Sequence, residues 1–255
     1  MQLTQREFKA FRDIVYKGCG IHLHEGKREL LTARLSKRLR VVQLKRASQY
    51  LDLIKKDQNE FVNFIDAIST NHTFFFRENH HFEFLLKNVD NANCLKIWSA
   101  ACSSGEEPYS MAIQLLDRRY RFDVVASDIS NKMIFLAKRG IYHKDKVRLV
   151  PLNMLRKYFQ KGHGQWDGYV RVKNEVRKHI DFGRHNLLTD DCPEKFNIIL
   201  CRNVMIYFDD KTKQKVINKL YRSLEDGGFF VLGAAEGLVG IEHQFKYLEP
   251  SIYRK

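Results

Sequence analysis

Apolar residues recur every three or four positions through the first 90 residues of the chain. They form three successive stripes, Phe8, Phe11, Ile14 and Val15, then Leu31, Leu35 and Leu39, then Tyr50, Leu51 and Ile54. Spacing of this kind gathers side chains on one face of an α-helix. Since no alternating strand pattern competes, the stretch is predicted to be helical throughout.

The period changes after residue 91, where short apolar runs alternate with helical patterns. The apolar runs occupy 94–100, 122–128, 196–208 and 227–236, and the helical patterns 108–119, 130–140 and 213–224. This alternation predicts a mostly parallel sheet with helices on its faces. The tail, 245–255, is predicted to add a last strand antiparallel to its neighbour, because no crossover helix precedes it.

The alternation of apolar runs and helical patterns is interrupted between residues 140 and 186. A segment with several glycines there leads into alternating residues typical of small antiparallel strands. We therefore expect four units along the chain. They are a helical N-terminal domain at 1–72, a linker and helix at 73–90, an α/β domain at 91–255, and a β subdomain inserted within it at 155–184.

Composition narrows the class of protein. The 255 residues are 44% hydrophobic with only 4 Pro, which favours a packed globular protein over a disordered one, and the formal net charge of +14 favours an anionic partner. The five cysteines never form a C-x-x-C pair, and no apolar run reaches the length of a membrane span. We expect a cytoplasmic protein that does not insert into the membrane.

A candidate ligand site begins where the run 96–100 passes through small residues into a helix at Pro108. Asp128 ends the next strand, where nucleotide-type folds bind ribose hydroxyls. The diphosphate fingerprint G-x-G-x-x-G is missing, and Glu106 and Glu107 would repel a pyrophosphate. S-adenosylmethionine, which carries no phosphate, fits better. The alternatives are a tight turn without a ligand and an Asp128 that only caps the following helix.

Two asparagines, Asn186 and Asn203, follow later apolar runs, at strand ends where ligand-binding groups gather. Asn186 could meet an adenine edge, and Asn203 could hold either cofactor or substrate. The competing interpretation is a turn in which each side chain bonds its own backbone.

Four motifs in this order resemble the chemotaxis receptor glutamate O-methyltransferases, the CheR family. They read S-T-N-H-T-F-F-F-R-E, S-A-A-C-S-S-G-E-E-P-Y-S, A-S-D-I-S and C-R-N-V-M-I-Y-F. The resemblance implies a class I S-adenosylmethionine-dependent methyltransferase of Rossmann-like α/β fold that methylates chemoreceptor glutamates and releases S-adenosylhomocysteine. It further implies recruitment to membrane-bound receptor arrays, and we expect a monomer.

The family's site residues carry over to matching positions of this chain. Arg77 is expected to pair with the cofactor's methionine carboxylate, Glu106 with its amino group, with Glu107 a weaker alternative, and Asp128 with the ribose. The whole implied cofactor set is Asn71, Thr73, Arg77, Gly105, Glu106, Asp128, Asn186, Leu187, Arg202 and Asn203. Substrate positioning is expected from Arg202, Asn203 and Tyr207.

The implied chemistry needs no general base, because a glutamate carboxylate with an ordinary pKa of about 4.3 is ionised at neutral pH. We expect no metal either, since the ten histidines lack Glu or Cys partners at ligand spacing.

The positive charge is concentrated at 27–46, which contains eight Lys or Arg and one Glu. Arg34, Lys37 and Arg38 are predicted to share an outer helix face, either as a solvated surface or, as the resemblance implies, for docking the acidic helical bundle of a chemoreceptor. In some family members the β subdomain also binds the receptor's C-terminal tail by strand addition.

Two other functions remain open at this point. A nucleic-acid methyltransferase would suit the charge, but the D/N-P-P-Y/F motif of base methylation is replaced by R-N-V-M. The second alternative is a non-catalytic module that binds only the cofactor or the receptor. The intact motif residues argue against this alternative. We expect no nucleic-acid partner.

Overall fold

The structure is a computed structural model that describes residues 2–68, 72–91, 93–192 and 194–255. Helices α1 to α10 are, in order, Gln5–Cys19, Arg28–Val41, Ala47–Lys56, Gln58–Ile68, His80–Asn88, Glu106–Asp117, Asn131–Arg139, Leu152–Tyr158, Asn174–Arg177 and Asp210–Arg222. Strands β1 to β10 are Leu95–Ala100, Phe122–Asp128, Ile141–His143, Phe159–Lys161, Tyr169–Val172, Ile180–Arg184, Phe196–Leu200, Leu224–Val231, Lys246–Glu249 and Ile252–Arg254. No helix within these ranges is long and apolar enough to cross a membrane.

Helices α1 to α4 pack around one apolar core. The three predicted stripes supply most of it, and Phe11, Leu35 and Tyr50 are fully buried together with Phe64 of α4. Helix α1 begins at a capping box in which the Thr4 hydroxyl accepts from the Glu7 backbone N–H. The predicted helical character of this region is confirmed.

The face of α2 that was expected to point outward is partly turned inward. The Arg38 guanidinium donates to both carboxylate oxygens of Glu60, at 2.6 to 3.0 Å, and Tyr50 donates its hydroxyl to the same carboxylate. Arg34 donates to the backbone oxygen of Ala67 at 3.1 Å. The prediction that Arg34, Lys37 and Arg38 share an outer face is therefore wrong for Arg38, because α4 packs against that side of α2. Lys37 is exposed.

The main sheet has seven strands in the order β6-β2-β1-β7-β8-β10-β9. Strands β6, β2, β1, β7 and β8 are parallel, and β10 is antiparallel to both of its neighbours. The predicted α/β class, with an antiparallel last strand, is confirmed. The carboxyl ends of β1, β2 and β7 lie side by side, so the segments that follow them converge on one edge.

A second, antiparallel sheet has the order β3-β5-β4 and spans Ile141 to Val172. The predicted limits of 155–184 are wrong at both ends. Strand β3 precedes them, and β6 belongs to the main sheet, where it runs parallel to β2. The alternating apolar pattern along 169–182 is typical of a hairpin, but the two strands in this range, β5 and β6, belong to different sheets. The boundaries proposed for the other units stay predictions.

Helix α5 joins the two regions and buries one face against α6. Its His81 side chain is fully buried, and neither ring nitrogen has a hydrogen-bond partner among the described residues. Burial and the nearby Arg202 charge lower the His81 pKa to about 4, although Glu78 opposes the shift. The imidazole is therefore neutral in the folded protein at pH 7.

We predict that His81→Phe removes part of the acid sensitivity of folding. Because the folded-state pKa lies below the ordinary value of 6.5, protons bind the unfolded chain first, and stability falls as the pH drops from 6.5 through about 4. The shift corresponds to about 3 kcal/mol. Urea unfolding at pH 7.5 and pH 4.5 measures this, and equal losses in the wild type and the variant would contradict it.

Candidate cofactor and substrate site

A cavity of about 330 Å³ lies between the helical N-terminal region and the carboxyl edge of the main sheet. This size is within the range of small-molecule sites. Of the predicted site residues, those that line it are Thr73, Arg77, Asp128, Asn186, Leu187, Arg202, Asn203 and Tyr207. Gly105 and Glu106 are not among the lining residues, and Asn71 lies outside the described part of the chain.

The turn that connects β1 to α6 lines this cavity and has an unusual backbone conformation. Ala101, Ser103 and Gly105 all have positive φ, at 64°, 50° and 94°. A Cβ on Gly105 would lie 2.9 Å from the Cβ of Ala137, so this glycine is required for packing against α7 and does not face the cavity. The Ser103 hydroxyl lines the cavity and is buried without a hydrogen-bond partner among the described residues.

Asp128 at the end of β2 is buried and fixed by two backbone groups. Its carboxylate accepts from the backbone N–H of Ser103 at 2.8 Å and of Ser130 at 2.9 Å. Burial raises the pKa of Asp128, and these two hydrogen bonds oppose the shift. Helix α7 is capped by Ser130, whose hydroxyl accepts from the Met133 N–H, so Asp128 is not the cap of that helix. Its carboxylate holds the turn that follows β2, and the residue lines the cavity.

The two glutamates that begin α6 point in different directions. The Glu106 side chain is fully buried and contacts Lys146 at 3.2 Å and the Ser104 hydroxyl at 2.7 Å. Glu107 lines the cavity and accepts from Ser99 at 2.7 Å. The expectation that Glu106 faces the ligand is therefore wrong, because a 100° step along the helix turns Glu107 toward the cavity instead.

A buried guanidinium joins three segments at the cavity floor. Arg202, which follows β7, donates to Glu107 and Glu78 at 3.0 Å each and to the backbone oxygen of Arg77 at 2.6 Å. It also lies over the ring of Phe82, 5.1 Å from the centroid. Burial raises the pKa of Glu107, against the opposing charge of Arg202. Arg202 therefore lies between two carboxylates, those of Glu107 and Glu78.

Asn203 is held in position by a carboxylate that the sequence did not single out. Glu236 accepts from the backbone N–H groups of Asn203, Gly233 and Ile206, at 2.7, 2.8 and 3.2 Å. Asn203 has a positive φ of 60° and its amide lies where a Cβ on Gly233 would be. Glu236 thus fixes the loop that directs Asn203 into the cavity.

The Asn186 side chain is occupied by the protein itself. Its amide donates to the Gly18 backbone oxygen at 2.7 Å, and its oxygen accepts from the Leu188 N–H at 3.0 Å. The side chain thus forms the turn of the alternative interpretation, and because Asn186 also lines the cavity, its contact with adenine stays a prediction. Leu187 lines the cavity beside it.

The N-terminal region supplies the opposite wall and holds the segment after β7. Ile21 forms an antiparallel bridge with Phe208, and the His22 N–H donates to the Tyr207 backbone oxygen at 2.7 Å. Tyr16 donates its hydroxyl to Asp209, also at 2.7 Å. These contacts fix the position of Tyr207 at the cavity.

The linker contributes Thr73 and Arg77 to the cavity. Arg77 donates to the backbone oxygen of His72 at 2.8 Å, and its Nε lies 3.7 Å from Glu78. Glu78 was missed by sequence reasoning, although it follows Arg77 directly in the first motif. Burial opposes ionisation of Glu78, but Arg202 and the Ala234 N–H together lower its pKa.

The donor set fits S-adenosylmethionine. Glu107 and Asp128 give the inner wall acidic groups suited to the amino and sulfonium charges and to ribose hydroxyls. The buried Ser103 hydroxyl has unused hydrogen-bonding capacity at the same place. Arg77 at the linker side supplies a cation for a carboxylate.

We predict that Glu236→Ala destabilises the protein by about 3 kcal/mol, because three backbone N–H groups lose a charged acceptor. Glu236→Gln, which keeps one oxygen, should cost less. Urea unfolding measures both, with Glu242→Ala, an exposed glutamate of the same loop, as the control. Equal stability of Glu236→Ala and Glu242→Ala would contradict this role.

Comparison with known proteins agrees with this geometry. Residues 71–254 match the family model "CheR methyltransferase, SAM binding domain", and residues 6–69 match "CheR methyltransferase, all-alpha domain". The chain is 35% identical to Chemotaxis protein methyltransferase 2 of Pseudomonas aeruginosa, over 98% of this chain and 93% of that protein. It is 37% identical to the Chemotaxis protein methyltransferase of Klebsiella aerogenes, over 99% and 90%. The chain therefore belongs to the CheR methyltransferase family.

Proposed function

We propose that this protein transfers the methyl group of S-adenosylmethionine to glutamate side chains of bacterial chemoreceptors. The products are glutamate methyl esters and S-adenosylhomocysteine. The observation that carries this proposal is the cavity at the sheet edge, where Glu107, Asp128 and Arg77 surround one space. The family membership and the names of the relatives support the same reaction.

The cofactor's polar groups are assigned by charge. Asp128 accepts from the ribose hydroxyls, helped by the Ser103 hydroxyl, and Glu107 takes the methionyl amino group. Arg77 pairs with the methionyl carboxylate, and Thr73 lies beside it on the same wall. Because Arg202 already binds Glu107 and Glu78, its role is to hold those carboxylates in place.

The adenine is proposed to lie against apolar side chains. Leu187 and Ile129 both line the cavity, as does Asp128. Since the Asn186 side chain is engaged with Gly18 and Leu188, recognition at this position falls to its neighbour Leu187 and to backbone groups.

Asn203 and Tyr207 are proposed to position the substrate carboxylate. When bound, S-adenosylmethionine supplies a sulfonium leaving group and an electrophilic methyl carbon. The protein aligns an already ionised carboxylate and excludes water, which needs no general base. Alignment of reacting groups can contribute about 7–11 kcal/mol. The Glu236 loop and the His22 contact keep Asn203 and Tyr207 at the required positions.

The partner is proposed to be the cytoplasmic helical bundle of a methyl-accepting chemoreceptor. Its acidic surface would contact the exposed Lys37 of α2, while Arg34 and Arg38 serve mainly to hold α2 against α4. The receptor's C-terminal tail would add a strand to the β3-β5-β4 sheet. In this proposal the protein acts as a monomer in the cytoplasm and is recruited to receptor arrays.

We expect the protein to form base-labile methyl esters on chemoreceptors. The test incubates it with labelled S-adenosylmethionine and membranes that contain chemoreceptors, with receptor-free membranes and RNA or DNA as parallel substrates. Labelled receptor with unlabelled nucleic acid supports the proposal. Transfer to nucleic acid alone, or to none of them, would overturn it.

We also predict that Asp128→Asn weakens S-adenosylhomocysteine binding at least tenfold. A carboxylate that accepts hydrogen bonds contributes about 1.5–3 kcal/mol, and 1.4 kcal/mol is tenfold in affinity. Calorimetry measures the affinity, and thermal unfolding of the same sample checks that the turn is intact. Asp181→Asn, on the exposed side of β6, is the matched control. Wild-type affinity in Asp128→Asn would refute the ribose assignment.

A further inference from the structure

A cluster of exposed aromatic rings surrounds one arginine on the face of α7 and the small sheet. The Arg139 guanidinium lies 5.8 Å from the Phe135 ring centroid and 5.9 Å from that of Trp166. Trp166 contacts Tyr169 with centroids 5.9 Å apart. Phe135, Trp166 and Tyr169 are 61%, 40% and 39% exposed. We call these four residues the Arg139 patch.

Such a cluster is unusual for a free surface. Large apolar side chains that are exposed together mark interaction sites, and Trp, Tyr and Arg dominate the residues that carry binding energy at interfaces. The patch rings are also ordered against one another by cation–π and edge contacts, which lowers the entropy lost when a partner binds.

The charge around the patch selects an acidic partner. Helix α7 contains Lys132, Lys138 and Arg139 and no Asp or Glu. Further along the chain, Lys146 pairs with Glu106 and Arg148 with Asp145. The exposed Asp167 lies between Trp166 and Tyr169 in sequence, so the positive charge of the patch comes from α7. Positive surface with exposed aromatics matches an acidic surface that also offers apolar side chains.

The patch includes residues of α7, the helix that begins two residues after the cavity-lining Ile129. Ile129, which lines the cavity, is six residues before Phe135 and ten before Arg139. Helix α7 begins at Asn131, so at 1.5 Å per residue Phe135 and Arg139 lie about 6 and 12 Å along its axis from its first residue. A helix is about 10–12 Å wide with its side chains. A substrate helix that delivers one glutamate to the cavity would have to extend about this far for its flanking residues, or the helix beside it, to contact the patch.

We propose that the Arg139 patch docks the acidic helical face of the chemoreceptor next to the glutamate being methylated. This inference rests on the proposed function, because the partner is the substrate of the same site. The patch would add positive charge to the docking surface. Helix α2 contributes less of this charge, because Arg38 is paired with Glu60 and Arg34 is bound to Ala67.

The test measures binding and methyl transfer separately. Arg139→Glu and Trp166→Ser are compared with wild type in co-sedimentation with chemoreceptor membranes and in transfer assays at saturating S-adenosylmethionine. The matched controls are Arg6→Glu, an exposed arginine in the first turn of α1, and Tyr247→Ser, an aromatic residue that is 58% exposed on β9. Each assay is repeated with a receptor that ends after its helical bundle.

Both patch variants should weaken sedimentation and raise the KM for receptor about tenfold, more than they change kcat, on full and truncated receptors alike. Binding of the wild type to receptor membranes should weaken as the salt concentration rises. Binding of Arg139→Glu should weaken less steeply over the same range of salt. The proposal is overturned if the patch variants bind like the controls, if the wild type does not sediment with receptors, or if the defect disappears on the tail-less receptor. Weakened binding by the variants without methyl transfer by the wild type would support the patch and refute the proposed function.

Discussion

The site depends on one buried guanidinium. Arg202 follows β7, Glu78 belongs to the linker and Glu107 begins α6, so these two ion pairs join three separate segments at the floor of one cavity. Removing one carboxylate would leave Arg202 paired with the other alone, and removing both would leave a buried charge without a partner, a loss that commonly costs about 3–5 kcal/mol. The neutral His81 beside Glu78 adds no competing charge at pH 7. The two ion pairs of Arg202 therefore determine the geometry of the cavity as much as the apolar core does.

The cavity also needs both parts of the chain. The bridge between Ile21 and Phe208, and the hydrogen bond from Asn186 to Gly18, attach the helical region to the sheet edge. Without that region, Tyr207 would lose its backbone contact with His22 and the cavity would lose one wall. The helical region is in this sense part of the site, in addition to any role in partner binding.

Local sequence patterns were sufficient to predict the helices and strands. The roles of individual site residues depended on tertiary contacts. The spacing of Leu31, Leu35 and Leu39 was sufficient to predict α2, and the alternation after residue 91 was sufficient for the parallel sheet. The Arg38 partner is 22 residues away and the Asn186 partner 168, so no local pattern could identify either. The choice between Glu106 and Glu107 depends on the phase of α6, which a strained turn with three positive φ angles sets. Glu236 could have been suspected only as an acidic residue in a small-residue segment after a buried strand.

We propose that the acidic inner wall of the cavity, formed by Glu107 and held by Arg202, binds the cationic end of the cofactor. Calorimetry of S-adenosylhomocysteine binding to Glu107→Gln and Glu106→Gln, with thermal unfolding of each variant to account for its lost ion pair, tests this, because Glu107 lines the cavity and Glu106 does not. We expect at least a tenfold loss of affinity for Glu107→Gln, from a charge-assisted hydrogen bond of about 1.5–3 kcal/mol, and a smaller loss for Glu106→Gln. Wild-type affinity in Glu107→Gln, or a larger loss in Glu106→Gln, would contradict it.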